Sequence, residues 1–167
     1  DGALGPLRPG QLVVVAARPS VGKSVLGLQV AQHAAMDGTP SAVFSTEMTT
    51  KEIRYRMLAA EGGINLRRLE SGTLTAREHA RYVKALPVVM ALPVAIYDSV
   101  VTVPALLATC RRLKSQGKLS VVVVDYVQQL SSGKRAENRQ VEVAEVSRAL
   151  KLMALELGVP VIAVCQL

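Results

Sequence analysis

The stretch Leu12-Val13-Val14-Val15-Ala16-Ala17-Arg18-Pro19-Ser20-Val21-Gly22-Lys23-Ser24 decides the fold of this 167-residue chain. An apolar, β-branched run reads as a strand. It gives way to a short polar loop, and the loop ends in Gly22-Lys23-Ser24, where a helical pattern begins. This strand–loop–helix context is the one a phosphate-binding P-loop requires. Backbone N–H groups in the loop and at the helix start have no partner inside the helix. They face outward, where the helix dipole favours an anion. Arg18, Pro19, Ser20, Val21 and Gly22 would line that anion pocket. Lys23 would reach the β- and γ-phosphates, and the Ser24 hydroxyl would ligate Mg²⁺. Gly22 lets the backbone approach the phosphates with no Cβ in the way. The first loop position, commonly Gly, is Ala17 here.

Working outward, four more apolar runs alternate with helical patterns. They cover Ala42–Ser45, Val94–Tyr97, Ser120–Val124 and Val161–Val164, and end near Glu47, Asp98, Asp125 and Gln166. The runs are continuous rather than alternating, which marks strands buried on both faces of a parallel sheet. Val103, Leu106, Cys110 and Leu113 recur at helical spacing, as do Val143, Val146, Leu150, Met153 and Leu157. Gly158 and Pro160 stop the second of these helices. Thr49 with Glu52, and Thr75 with Glu78, read as capping boxes. Pro87 is expected to end or kink the helix that Thr75 opens. The pattern predicts one α/β domain over residues 1–167, a mostly parallel sheet flanked by helices.

In such sheets ligands sit outside the carboxyl ends of the strands. Asp125, directly after an apolar strand, would hold Mg²⁺ beside the P-loop or, alternatively, cap the next turn. Glu47 would act as general base toward an attacking water or, equally, complement the dipole of the helix that follows. Gln166 has an amide able to sense a phosphate, although a plain strand-end residue reads as well. The basic segment Ser131–Gln140, with Lys134, Arg135 and Arg139, is either a solvated loop or a contact for nucleic-acid phosphates. His33 and His79 have no partner at metal spacing and read as surface residues.

Composition narrows the classes. A net charge of +7 suits a polyanionic partner. Phe44, Tyr55, Tyr82, Tyr97 and Tyr126 are the only aromatics, which is few for a protein that stacks on bases. Cys110 and Cys165 are too few for a disulfide framework and fit a reducing, cytoplasmic setting. No apolar run approaches the ~20 residues of a membrane span. The N-terminus does not read as a secretory signal.

Several motifs taken together resemble the C-terminal motor domain of the DnaB-type replicative DNA helicases. They are Leu7-Arg8-Pro9-Gly10, Ala16 to Ser24, Phe44-Ser45-Thr46-Glu47-Met48, Arg68 to Thr75, Asp125-Tyr126-Val127-Gln128, Glu137-Asn138-Arg139-Gln140 and Cys165-Gln166-Leu167. The family's own P-loop also begins with Ala. The resemblance implies a RecA-like P-loop fold, truncated at its C-terminal side. It implies ATP and Mg²⁺ as cofactors, Glu47 as catalytic base and Gln166 as phosphate sensor. It further implies single-stranded DNA, a ring hexamer, primase and a helicase loader as partners. Thr46, Gln129 and Cys165 depart from the usual residues without removing a catalytic group. The family continues beyond Ser-Gln-Leu, so the chain is expected to be a fragment that binds ATP but turns it over slowly alone. Other RecA-like ATPases, of recombination or clock type, and a non-catalytic nucleotide-gated assembly module are the alternatives.

Overall fold

The structure, a computed structural model, describes residues 5–18, 22–125, 127, 130 and 139–166, the side chain of Arg139 excepted. Five strands, β1 (Leu12–Ala17), β2 (Ser41–Ser45), β3 (Val94–Tyr97), β4 (Val121–Asp125) and β5 (Val161–Gln166), form one sheet. Their order is β1-β5-β4-β2-β3, and every pair is parallel. The helices are α1 (Lys23–Met36), α2 (Thr50–Gly62), α3 (Leu66–Ser71), α4 (Ala76–Ala91), α5 (Val103–Ser115) and α6 (Arg139–Leu157).

The continuous apolar runs have the burial that their pattern predicts. Every residue of β2 and β4 is buried, because helices cover both faces. Val122 and Val124 point into a core built with Leu106, Cys110, Val146 and Leu150 of α5 and α6. Val121 and Val123 point the other way, into a core with Leu28 and Ala31 of α1, Ile53 and Met57 of α2, and Val89 of α4. Gly27 lets α1 lie close to the sheet. A Cβ there would sit 3.1 Å from a methyl of Val123 and 3.3 Å from one of Val164. That close seat fixes where the start of α1 stands against the ends of β4 and β5.

Both capping boxes form. The Glu52 and Glu78 N–H groups donate to the Thr49 and Thr75 hydroxyls, and the two carboxylates accept from the Thr49 and Thr75 N–H groups at 2.8 and 3.0 Å. α6 ends at Leu157 before Gly158, whose φ is 59°. Of the two outcomes expected at Pro87, an end is ruled out: α4 runs on to Ala91. A proline inside a helix costs about 3 kcal/mol. Beyond it, however, Val89 is wholly buried in the core that α4 shares with α2, and tertiary packing of that kind overrides propensity. Two strands run further than the apolar runs alone suggest, β4 taking in Asp125 and β5 reaching Gln166. Among the described residues no helix is long and apolar enough to cross a membrane.

Candidate functional site

The carboxyl ends of β1, β5, β4 and β2 stand side by side in the sheet, with Ala17 in register with Gln166 and Ser45 with Asp125. Parallel pairing alone thus collects the polar residues that end these strands. Gly22 caps α1 in the left-handed region at φ 88°, ψ 17°, and a Cβ built on it would have no atom within 4 Å. The start of α1 has no side-chain cap and no acidic residue in its first turn. Its N–H groups and positive dipole end are left for an anion.

An open cleft of about 560 Å³ lies over this point. Gly22, Lys23 and Ser24 form one wall, Glu47 and Met48 another, and Gln166 and Arg56 complete the rim. Asp125 is only 2% exposed, and neither of its carboxylate oxygens has a hydrogen-bond partner among the described residues. Burial pushes the Asp125 carboxyl above its usual range. The Ser24 hydroxyl is near enough to oppose that shift, yet it does not reach hydrogen-bond geometry. Glu47 adds to the upward shift, while Lys23 and Arg56 draw it down. These four side chains therefore surround Asp125 electrostatically.

Two buried, unpartnered carboxylate oxygens are costly unless a cation satisfies them. Ser24 and Asp125 are hard oxygen donors, the kind Mg²⁺ takes. No cluster of three or more His, Cys, Asp or Glu side chains forms a metal cage among the described residues. A Mg²⁺ ion here would complete its shell with phosphate oxygens and water, which is how this ion is usually held beside nucleotides. The site thus fits the ion.

The loop that carries Glu47 is tied to the ends of β2 and β4. Thr46 N–H donates to the Asp125 carbonyl at 2.8 Å, and Met48 N–H donates to the buried Ser45 hydroxyl at 2.9 Å. Lys23, Ser24, Glu47, Asp125 and Gln166 all gather at this one end of the sheet, while Arg18 is exposed just past β1. Pro19, Ser20, Val21, Lys134 and Arg135 lie outside the described residues, as does the side chain of Arg139. His33 and His79 are exposed.

Arg56 is the site residue that sequence reasoning missed. It stands in the middle of α2, its Nε buried without a hydrogen-bond partner. In sequence it reads as the helical i+4 mate of Glu52. Only the path of α2 back over the sheet ends brings it to the cleft. Its sole sequence signal is its place beside Met57, on the turn that buries Ile53.

Comparison with known proteins places this geometry. The replicative DNA helicase DnaB of Leifsonia xyli subsp. xyli is 45% identical over 163 residues, which cover 96% of this chain and 36% of that protein. A solved DnaB-like replicative helicase, described with its interactions with primase, superposes with a TM-score of 0.91 at 29% identity, over 96% of this chain and 40% of that one. The ATPase domain of G40P matches with a TM-score of 0.89 at 29% identity, over 95% of this chain and 58% of that one. The fold is accordingly the RecA-like ATPase fold. This chain spans about a third of the length of its DnaB relatives. The family model for the DnaB-like helicase C-terminal domain matches residues 1–167, and the chain belongs to that family.

Proposed function

We propose that this chain is the ATP-hydrolysing motor domain of a replicative DNA helicase, which as a ring hexamer translocates on single-stranded DNA and unwinds the duplex. The observation that carries this reading is the pair of buried, unpartnered Asp125 oxygens set behind Ser24 and Lys23 at an uncapped helix start. The free backbone N–H groups at the start of α1 hold the phosphates of ATP, and Lys23 neutralises their β–γ end. Ser24 and Asp125 would hold Mg²⁺, which would supply positive charge beside the transferred phosphoryl group. Glu47 orients the attacking water and takes its proton. Arg56 faces the same cleft and adds a second fixed positive charge. Gln166 donates its amide to the terminal phosphate and links occupancy of the site to β5.

Membership of the family supports the partners: single-stranded DNA, other copies of the subunit, a helicase loader, and primase, whose interactions are described for a DnaB-like neighbour. Lys134, Arg135 and Arg139 are assigned to DNA phosphates, in keeping with the net charge of +7. A cytoplasmic setting follows from that role.

The test is Glu47→Gln in the full-length protein. ATP turnover should fall by about 10² or more, as loss of a general base does, while ATP affinity stays within about twofold of wild type. Turnover that survives the change would remove Glu47 as the base.

A further inference from the structure

We infer that Asp98, at the end of β3, is a positioning residue for Glu47, holding the start of α2 so that the Glu47 carboxylate stays over Asp125. The inference rests on the reading of Glu47 as general base. Asp98 Oδ2 accepts the Thr50 N–H at 2.7 Å, across 48 residues of sequence. Thr50 is the first residue of α2 and stands three positions after Glu47. The bond therefore joins the end of one strand to the far side of the loop that begins at the end of the next.

The near side of that loop is already fixed. Ser45 accepts from Met48 N–H, and Thr46 donates to the Asp125 carbonyl. Below it, Phe44 and Tyr97 stack with ring centres 5.0 Å apart, in register across β2 and β3. That stack sets how far Asp98 projects relative to Glu47. With Asp98 in place, the loop is clamped at both ends.

A simple helix cap would not need Asp98. Thr49 and Glu52 already form a complete capping box, which serves the N–H groups of Thr49 and Glu52. Asp98 takes the next orphan donor, and it comes from a different strand. What it adds is a fixed distance between the end of β3 and the start of α2. The Thr50 N–H holds the Asp98 carboxyl below its usual range, so the acceptor is fully ionised at neutral pH.

With the loop tied to β2 and β4 but the start of α2 released from β3, Glu47 would shift, and misplacement by about 1 Å costs up to about 10² in rate. In full-length protein, Asp98→Ala should lower kcat about tenfold or more, with KM and nucleotide affinity within about twofold. Asp98→Asn keeps an acceptor oxygen and should recover most of the loss. In the Glu47→Gln background Asp98→Ala should slow turnover no further. In nucleotide-free protein, hydrogen exchange of a peptide spanning residues 47–56 should quicken in Asp98→Ala and stay slow in Asp98→Asn.

A kcat within twofold of wild type in Asp98→Ala would overturn the inference. So would exchange that does not change, or a further loss of turnover in the Glu47→Gln background equal to that in wild type. If Glu47→Gln alone leaves turnover intact, the base assignment fails. Exchange at residues 47–56 still reports separately on the Asp98 clamp.

Discussion

At the scale of one residue, the role proposed for Asp125 runs against stability. Its carboxylate is buried with no hydrogen-bond partner, and burial raises its pKa. A carboxyl whose folded pKa lies above its unfolded value binds protons more readily in the folded state. Its contribution is most favourable below the unfolded value of 3.8 and is lost as pH rises through the folded value. At neutral pH the ionised group therefore weakens the nucleotide-free protein. Asp125→Asn should raise the melting temperature by a few degrees at pH 7, since 1 kcal/mol moves Tm by about 2–4 °C in a domain of this size. The advantage over wild type should shrink as pH falls toward 4, and calorimetry across pH reads both effects. Mg²⁺-dependent turnover should be lost in the same variant. A melting temperature that falls at pH 7 would mean that the carboxylate is satisfied.

The residues around Asp125 were unevenly legible in the sequence. Lys23 and Ser24 follow from the P-loop pattern, because chain neighbours alone define that geometry. Asp125 and Glu47 follow from strand ends in a parallel sheet, each with a bland local alternative for its role, and the strand order brings the two to one end of the sheet. Arg56 was not legible. Its role depends on the path of a helix over the sheet, and helical periodicity does not encode that path.

Among the elements, helix starts were the most readable, since capping is a short-range hydrogen-bond pattern. Thr75 and Glu78 form the expected box, and Arg68 joins it with an ion pair to Glu78 at 3.2 Å. Together the Thr75 N–H and hydroxyl and the Arg68 charge hold the Glu78 carboxyl down to about 2. For a carboxyl lowered on folding, the stabilisation is present above the unfolded value of 4.5 and is lost as pH falls toward the folded one. Glu78→Gln should therefore melt below wild type at pH 7, and the two curves should converge between pH 4.5 and about 2. A gap that persists unchanged at pH 2 would assign the effect to packing instead.

Whether α4 stops or runs on at Pro87 was left open by the sequence for the opposite reason. The local rule is sound, but burial of Val89 on a distant face outweighs it. Strand order was likewise hidden. Nothing local states that β1 neighbours β5 rather than β2; that follows from α1 crossing two strands on its way to β2.

At the scale of the whole molecule, the sheet gathers chemistry at one end and leaves charge to address a partner. The net charge of +7 and the basic sequence Ser131–Gln140 suit a phosphate backbone, and the scarcity of aromatics argues against base stacking. Replacing Lys134, Arg135 and Arg139 together by Ala in the full-length protein should weaken single-stranded DNA binding. The slope of log K against log salt should become shallower by about 2, at about 0.7 per lost phosphate contact. An unchanged slope would move the DNA contact elsewhere.

In the proposed function one pocket does two things: the start of α1 would take the phosphates while Ser24 and Asp125 would take the metal. The most direct test titrates a fluorescent ATP analogue into full-length wild-type and Asp125→Asn protein, each with and without Mg²⁺. In wild type, Mg²⁺ should tighten binding by about tenfold or more, equivalent to 1.4 kcal/mol, and in Asp125→Asn that enhancement should vanish while metal-free affinity stays the same or rises. Equal Mg²⁺ enhancement in the two proteins would contradict the account.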